Sequence, residues 1–472
     1  MLFNSLIFLA FFPTVVFVYY LLPGLKLRNV FLLCASYYFY MNWNPRYAIL
    51  LAMVTCVAYC CALLLEKEDS PRKRKCITTI GIIAIISVLF TYKYLGFAAH
   101  VVSGTVRAMG LSIPVPEFNI LLPVGISFFS FQAIGYLVDV YRKTIPAEHN
   151  FIVYALFISF FPQLVAGPIE RARTLLPQFK RLHSFSPDLA LSGLQMMIWG
   201  YFMKLCIAER ISPYVDAVFN NYMYHNGNSL ALGTFFFSFQ IYCDFCGYSL
   251  IACGAARCLG YVLMDNFNHP YLAGSIRDFW RKWHISLSTW FMDYVYIPLG
   301  GNRCSTARHV FNLTITFLVS GIWHGANWTF IFWGLLHGVF VSLHTLYRKY
   351  LSPIKFWSPL RAILSIACTF ALVSLCWVFF RAKSIGTGFV ILRKIFTERG
   401  TLYNGDGLPN QLLGLFCIMI LMAAEVKREL GLKISFIHSD NTVVCSLGMA
   451  LMIVLILLTA SFHGGQFIYF QF

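Results

Sequence analysis

Two histidines are the residues of this sequence best suited to acid–base chemistry. His284 lies in the string RDFWRKWHISLSTW, and His324 lies in the string SGIWHGANW. Imidazole is the side chain whose unperturbed pKa lies closest to neutral pH. A neutral imidazole in an apolar site can act as a general base, and such a base typically contributes about 10²–10⁴-fold in rate. We therefore predict that His324 is a general base, with Trp323 and Asn327 orienting it.

Each histidine also has a structural interpretation. His284 follows Trp280 by four residues and so shares its apolar helix face, where it could be a core histidine bonded to a backbone carbonyl. His324 could be a helix-packing residue. His337 and His344 lie seven residues apart on one predicted helix face, and we interpret both as packing or interface residues.

Other catalytic and metal-binding signatures are weak. The sequence contains no HExxH motif, no G-x-S-x-G elbow and no P-loop lysine motif. The cysteines Cys243, Cys246, Cys253 and Cys258 follow a spacing that matches neither a paired zinc motif nor a ferredoxin run. Zinc bound by the histidines would need further ligands, and acidic residues are scarce. We predict helix-packing cysteines and no metal.

Composition places these residues in a membrane protein. The chain of 472 residues is 59% hydrophobic and 12% charged, whereas soluble domains carry about 25% charged residues. Its net charge is +17, but the basic residues lie in short loops between apolar segments, which is the positive-inside pattern. The sequence has no basic, aromatic-interleaved soluble segment, so nucleic-acid binding is not expected. The predicted fold class is an all-α, polytopic integral membrane protein in a lipid bilayer.

The topology follows from apolar segments and basic loops. Leu2–Leu22 has no leading positive charge, so we predict a retained membrane helix and not a cleaved signal peptide. The basic run Arg72–Lys75 is predicted to face the cytoplasm, which leaves the N-terminus outside. About eleven transmembrane helices, with re-entrant and interfacial helices, are expected in one membrane domain over residues 1–472. Basic residues of Arg381–Asn410 fall on the predicted outer side, against this bias.

Three polar features must lie near or inside the apolar layer. Phe151–Leu164 runs into the Pro- and Gly-broken string PQLVAGPI, which is either a re-entrant segment lining a site or a helix kink. Asp244 is an acid in an apolar context and is predicted to be functional or paired with a nearby arginine. The spacing of six apolar residues predicts one amphipathic helix near the cytoplasmic interface; they are Trp280, Trp283, Leu287, Trp290, Phe291 and Tyr294.

Taken together, these strings resemble the membrane-bound O-acyltransferase family. Within it, the chain is most similar to the bacterial alginate O-acetyltransferase branch, which is related to the D-alanyl transfer proteins of teichoic acid synthesis. The matching segments are Arg277–Trp290, Tyr294–Arg303 (YVYIPLGGNR), Ser320–Trp328, Leu336–Gly338, Pro162–Ile169, Tyr242–Tyr248 and the terminal FIYFQF. Cys246 stands where serine is expected in this branch, a departure that leaves the histidines unaffected.

The resemblance implies a fold with a central tunnel and a pair of active-site histidines. The near-invariant histidine of the family corresponds to His324, and its second active-site position corresponds to His284. The resemblance also implies an acyl thioester donor, acetyl-CoA or an acyl-carrier protein, that enters from the cytosol as a substrate; no bound cofactor is expected. The predicted tunnel residues are Trp323, Asn327, Arg303, Trp280, Trp283, Ser286, Asp244 and Gln163.

The activity implied by the resemblance is O-acyl transfer, with acetyl as the group. His324 removes the acceptor proton, and His284 positions a reactant or stabilises the developing oxyanion. An extracytoplasmic, acetyltransferase-like partner protein accepts the group and modifies a polysaccharide such as alginate, at the bacterial inner membrane. Three alternatives stay open: D-alanyl or other acyl transfer to a cell-wall polymer, a transporter with a histidine proton relay, and an inactive scaffold for glycan export.

Overall fold

The computed structural model describes residues 1–111, 116, 118, 121–165, 167–351, 359–405, 407–432, 439, 441–461 and 468. Most of the terminal string FIYFQF lies outside the described residues, and only Ile468 is included. The described part of the chain is helical and contains no strand, which confirms the predicted all-α class. Eight of its helices are long and apolar enough to cross a membrane. The count of about eleven stays a prediction.

The chain divides into two compact units. The first unit comprises Met1–Leu194 and Ile251–Met264, and the second comprises Gln195–Leu250 and Asp265–Phe472. The helices that begin in the first unit are α1 Leu6–Leu21, α2 Leu25–Met41, α3 Pro45–Lys67, α4 Pro71–Lys93, α5 Leu95–Ala108, α6 Ile126–Tyr141, α7 Phe151–Ser159, α8 Phe161–Leu164, α9 Ala172–Phe179 and α10 Pro187–Tyr201.

The second unit holds the remaining helices. They are α11 Glu209–Asn220, α12 Gly227–Cys258, α13 Ile276–Lys282, α14 Ile285–Phe291, α15 Thr306–His324, α16 Trp328–Tyr350, α17 Pro359–Arg381, α18 Ile385–Thr397, α19 Leu408–Glu429 and α20 Thr442–Thr459. Two π-helical segments, Phe202–Ala208 and Met292–Tyr296, continue α10 and α14. Helices α10 and α12 contain residues of both units.

In the first unit, the Pro- and Gly-broken segment is interrupted as its sequence predicts. Helix α7 ends at Ser159, Phe160 adopts a non-helical conformation, and the short α8 follows. The Phe157 carbonyl accepts hydrogen bonds from the side-chain amides of Gln163 (2.7 Å) and Gln132 (2.8 Å). Buried Gln163 therefore satisfies a carbonyl close to the helix end, as backbone groups freed at helix termini require.

In the second unit, α15 and α16 form a closely packed helical hairpin. A Cβ atom at Gly321 would lie 2.4 Å from the Phe330 carbonyl oxygen, so only glycine permits this approach. Helix α15 ends at His324, and the side chain of Asn327 caps the start of α16. The hairpin therefore holds His324 at a fixed place between two helices.

The amphipathic helix predicted from Trp280 to Tyr294 is wrong as one continuous element. The structure divides it into α13 and α14, with His284 between them in the left-handed region at φ +44°. The Ile285 amide donates to the Asn266 carbonyl (2.9 Å), so a neighbouring loop holds the break in place. Periodicity did not reveal the break because the residues on both sides keep helical spacing.

Cations of the segment Arg381–Asn410 are bound by protein groups. Arg381 forms an ion pair with Asp216 at 2.6 Å. Lys394 is buried in α18, where it donates to the carbonyls of Tyr222 (3.2 Å) and Met223 (2.9 Å). Both charges thus have a structural role, and the predicted outer location of this segment stays a prediction.

Candidate active site

Asn266 fixes the orientation of His284. Its Oδ1 accepts three hydrogen bonds, from the Ser286 backbone N–H (3.2 Å), the Ser286 hydroxyl (2.9 Å) and His284 Nδ1 (3.1 Å). A backbone N–H can only donate, so the atom facing it is the amide oxygen and not the nitrogen. His284 must therefore carry its proton on Nδ1, and in the neutral ring Nε2 keeps a lone pair.

The surroundings of His284 keep its imidazole neutral. The side chain is fully buried, and Phe245 packs edge-to-face against it with ring centroids 4.6 Å apart. Burial lowers the pKa of His284 to about 3, because the charged ring would lose its hydration. A neutral Nε2 accepts hydrogen bonds, so His284 suits binding of a hydroxyl group.

Trp323 brings the two predicted histidines together. Its ring centroid lies 6.1 Å from that of His284 and 4.9 Å from that of His324, and all three side chains are buried. His324 also contacts Trp333 (5.0 Å) and Phe380 (5.4 Å) edge-to-face. Residues that are 40 positions apart in the sequence thus meet at one aromatic side chain.

A cavity of about 540 Å³ lies in the second unit, and its lining includes near neighbours of both histidines in the chain but neither histidine itself. Ile285, which follows His284, and Ser320, one turn before His324, both line it. One set of lining residues is polar: Arg277, Arg281, Tyr296, Asn302 and His309. Another set is apolar: Trp280, Leu287, Phe291, Leu313, Phe317 and Val341. The cavity can therefore hold a molecule with a charged part and an apolar part.

Positive charges act on His309, which lines this cavity. Burial is the largest cause of the lowered pKa of His309, and the positive charges of Arg277 and Lys349 lower it further. His309 is thereby kept neutral next to fixed cations. The local field is positive, which favours an anionic ligand.

The predicted tunnel residues lie at several separate places in the structure. Trp280 lines the cavity, whereas Trp283 is buried against Phe279 (5.4 Å) and Trp377 (5.1 Å) and is not among the lining residues. Arg303 is exposed, and its neighbour Asn302 is the residue that lines the cavity. Ser286 donates two hydrogen bonds to the Asn266 side-chain oxygen, which also accepts from His284. Gln163 belongs to the first unit.

The side chain of Asn327 serves as a helix cap. Its Oδ1 accepts from the Thr329 N–H at 3.0 Å, and its Nδ2 donates to the Lys383 carbonyl at 3.4 Å. Contact with His324 comes instead from the Trp323 ring. The orienting role predicted for Trp323 and Asn327 stays a prediction.

Asp244 is paired with a lysine and not with an arginine, which corrects that prediction. Lys204, in a π-helical segment, lies 2.6 Å from Asp244 and 2.8 Å from Glu209, and all three side chains are buried. Asp244 also accepts the backbone N–H of Ile468 at 2.8 Å. These contacts give Asp244 a structural role, since it binds both the lysine and the chain near the C-terminus.

Sequence reasoning missed two residues of this region, Asn266 and His337. Asn266 lies 18 residues before His284 in a loop without periodicity, so no pattern linked the two. His337 accepts a hydrogen bond from Trp280, 57 residues away, and was interpreted as packing. Neither contact has a local signal in the sequence.

Comparison with known proteins identifies the family. Residues 140–381, which include both histidines, match the family profile described as "MBOAT, membrane-bound O-acyltransferase family". The chain belongs to this family. As a membrane-bound O-acyltransferase with eight apolar helices of spanning length, it is a multi-pass membrane enzyme that transfers acyl groups to oxygen.

Curated relatives of this O-acyltransferase come from several bacteria. It is 38% identical to a probable alginate O-acetylase of Azotobacter vinelandii, over 92% of this chain and 85% of the relative. It is 34% identical to a peptidoglycan O-acetyltransferase of Helicobacter pylori, over 83% and 79% of the two chains. A teichoic acid D-alanyltransferase of Bacillus subtilis is more distant, at 26% identity over 65% and 84%.

Proposed function

We propose that the protein transfers an acetyl group from a cytosolic thioester to a hydroxyl group, for O-acetylation of a polysaccharide outside the cytoplasm. The observation that carries this proposal is the pair of buried histidines around Trp323, together with a cavity that has arginines in its wall. Alginate and peptidoglycan, which the relatives' names give as their substrates, both contain sugar hydroxyl groups. A polysaccharide such as alginate is therefore the proposed final acceptor.

The cavity supports an anionic thioester as the donor. Arg277 and Arg281 supply positive charge, and Trp280 and Phe317 supply an apolar wall. Acetyl-CoA and an acetylated acyl-carrier protein both present a phosphate-bearing pantetheine arm that ends in a thioester. Such a donor would be attracted by the arginines while its uncharged arm packs on the aromatic rings.

The two histidines divide the proton chemistry. Nε2 of neutral His284 accepts a hydrogen bond from a second hydroxyl or N–H group of the acceptor, next to the reacting hydroxyl, and so positions the acceptor. His324 takes the hydroxyl proton as the oxygen attacks the thioester carbonyl carbon. The new C–O bond forms, the C–S bond breaks, and the proton passes to the sulfur. The products are an acetyl ester and a free thiol.

Since the lone pair of His284 lies on Nε2, this atom cannot donate to a developing oxyanion. Of the two roles predicted for His284, positioning is therefore the one that its hydrogen bonds favour. A ring whose conjugate acid has a pKa of about 3 is also a weak base, which leaves proton removal to His324.

Transfer across the membrane requires an acceptor on the opposite side. We propose an extracytoplasmic partner protein, which receives the acetyl group and passes it to the polysaccharide. The enzyme would lie in the bacterial inner membrane with its N-terminus outside. The more distant D-alanyltransferase makes D-alanyl transfer to a cell-wall polymer the second candidate.

The test is O-acetylation of extracellular polysaccharide in cells that carry the His324→Ala variant. Esterified acetate should be lost, while the matched variant His344→Ala, on a half-buried histidine of α16, keeps it. Full acetylation by His324→Ala at normal protein levels would contradict the base assignment. Ester-linked D-alanine in place of acetate would favour the second candidate. Solute flux in liposomes without acyl transfer would favour a transporter.

A further inference from the structure

A third histidine is linked by ring contacts to the cavity wall and to His324. His337 on α16 is fully buried, and its Nδ1 accepts a hydrogen bond from the indole N–H of Trp280 at 3.2 Å. The two rings meet edge-to-face at 89° with centroids 5.0 Å apart. An indole nitrogen can only donate, so Nδ1 of His337 carries the lone pair and Nε2 of the neutral ring carries the proton.

This hydrogen bond acts on a residue of the cavity wall. Trp280 lies on α13 between Arg277 and Arg281, and all three residues line the cavity. Phe317, another lining residue, packs against Trp280 at 5.1 Å and against His337 at 6.4 Å. His337 thus holds the Trp280 indole by its N–H, and Phe317 packs against both rings.

His337 and His324 both contact the ring of one shared neighbour. Trp333 contacts His337 at 4.8 Å and His324 at 5.0 Å. His337 cannot serve as a second base, because its lone pair is occupied by Trp280 and its other nitrogen carries the proton. Its role must therefore be exerted through the side chains that it contacts.

We propose that His337 is a positioning residue that fixes the Trp280 indole and thereby shapes the cavity for the pantetheine arm of the thioester donor. This inference rests on the proposed function. It assigns His337 to donor binding and not to proton transfer. Loss of the Nδ1 acceptor leaves a buried indole N–H without a partner, which favours rotation of the ring into the cavity.

The kinetic test compares single variants with their combination in protein reconstituted into lipid nanodiscs, with acetyl-CoA and acetylated acyl-carrier protein as donors. His337→Leu should raise the donor KM about tenfold and change kcat less than about threefold, since one buried hydrogen bond is lost. His337→Gln offers an amide oxygen as acceptor and should restore most of the KM. Trp280→Phe should raise the KM similarly, and the double variant should add nothing further.

His344→Leu is the matched control, because it removes a histidine of the same helix that does not line the cavity, and its kinetics should match wild type. Additive effects of His337→Leu and Trp280→Phe would overturn the proposal. A fall in kcat at unchanged KM would also overturn it, because it would assign His337 to chemistry.

A second measurement does not depend on activity. In protein labelled with ¹⁵N-tryptophan, the indole resonance that disappears in Trp280→Phe belongs to Trp280. Its exchange with solvent should be slow in wild type and in His337→Gln, and should be faster in His337→Leu. An unchanged resonance in His337→Leu would refute the positioning role, even if acyl transfer itself were not observed. If the hydrogen bond between Trp280 and His337 is intact but no acetyl transfer is observed, only the proposed function is refuted.

Discussion

Replacing Asn266 by leucine tests how the reactive form of His284 is maintained. In Asn266→Leu, the oxygen that accepts from His284 Nδ1–H (3.1 Å) is lost, together with both bonds from Ser286. A buried N–H without an acceptor costs about 1–3 kcal/mol. His284 can avoid this cost by moving its proton to Nε2, which removes the lone pair that is proposed to position the acceptor.

The expected loss of rate follows from this tautomer penalty. A cost of about 1–3 kcal/mol corresponds to a decrease of roughly 5- to 150-fold in the population of the reactive tautomer, and hence in kcat. The matched control is Ser286→Ala, which removes one donor to the same oxygen but leaves the bond between Asn266 and His284. It should lower kcat less than about threefold.

The assay is steady-state thiol release from acetyl-CoA by purified protein in nanodiscs, with thermal unfolding as the control for folding. The reasoning is refuted if Asn266→Leu, folded to the wild-type level, retains its kcat. It is equally refuted if Ser286→Ala lowers kcat as much as Asn266→Leu does, because the amide oxygen would then not be the decisive contact.

Three further predictions concern stability. The pKa of His284 is about 3 in the folded protein and about 6.5 in the unfolded chain, so the unfolded chain binds more protons between these pH values. The free energy of unfolding should therefore fall as the pH decreases from 6.5, by up to about 1.4 kcal/mol per pH unit, and the decrease in Tm should be smaller in His284→Gln. Gly321→Ala places a methyl group 2.4 Å from the Phe330 carbonyl oxygen and should lower Tm, whereas Gly104→Ala, where no atom lies within 4 Å, should not. Equal Tm values in the two variants would contradict the close packing of α15 and α16. Lys204→Met leaves two buried carboxylates without their cation and should cost about 3–5 kcal/mol in urea unfolding; a loss below about 1 kcal/mol would show that the ion pair is dispensable.

Much of the architecture could be predicted from the sequence because it depends on local pattern. Apolar length identifies membrane helices such as Pro45–Lys67 and Trp328–Tyr350, and the motif strings predict both histidines as site residues. The close pairing of α15 and α16 has a local cause, since glycines at Gly321 and Gly334 permit it. These features require no knowledge of distant residues.

The rest of the site depends on contacts across long sequence separations. Asn266 meets His284 only because a loop runs beside the break between α13 and α14, and His337 meets Trp280 only because α16 packs on α13. The sequence predicts an arginine partner for Asp244, because arginines are the basic residues nearest to it in the chain. The structure instead uses Lys204, which a π-helical segment places beside α12.

The most direct test of the central claim is the pH dependence of acetyl transfer by purified wild type, His324→Ala and His284→Gln, followed as thiol release from acetyl-CoA and from acetylated acyl-carrier protein. We expect His324→Ala to lose about 10²–10⁴-fold in kcat, as for removal of a general base. We expect His284→Gln to keep the acid limb of the wild-type profile, because that limb reports proton removal by His324. Full activity of His324→Ala, or loss of the acid limb in His284→Gln, would contradict the assignment of base and positioning residue.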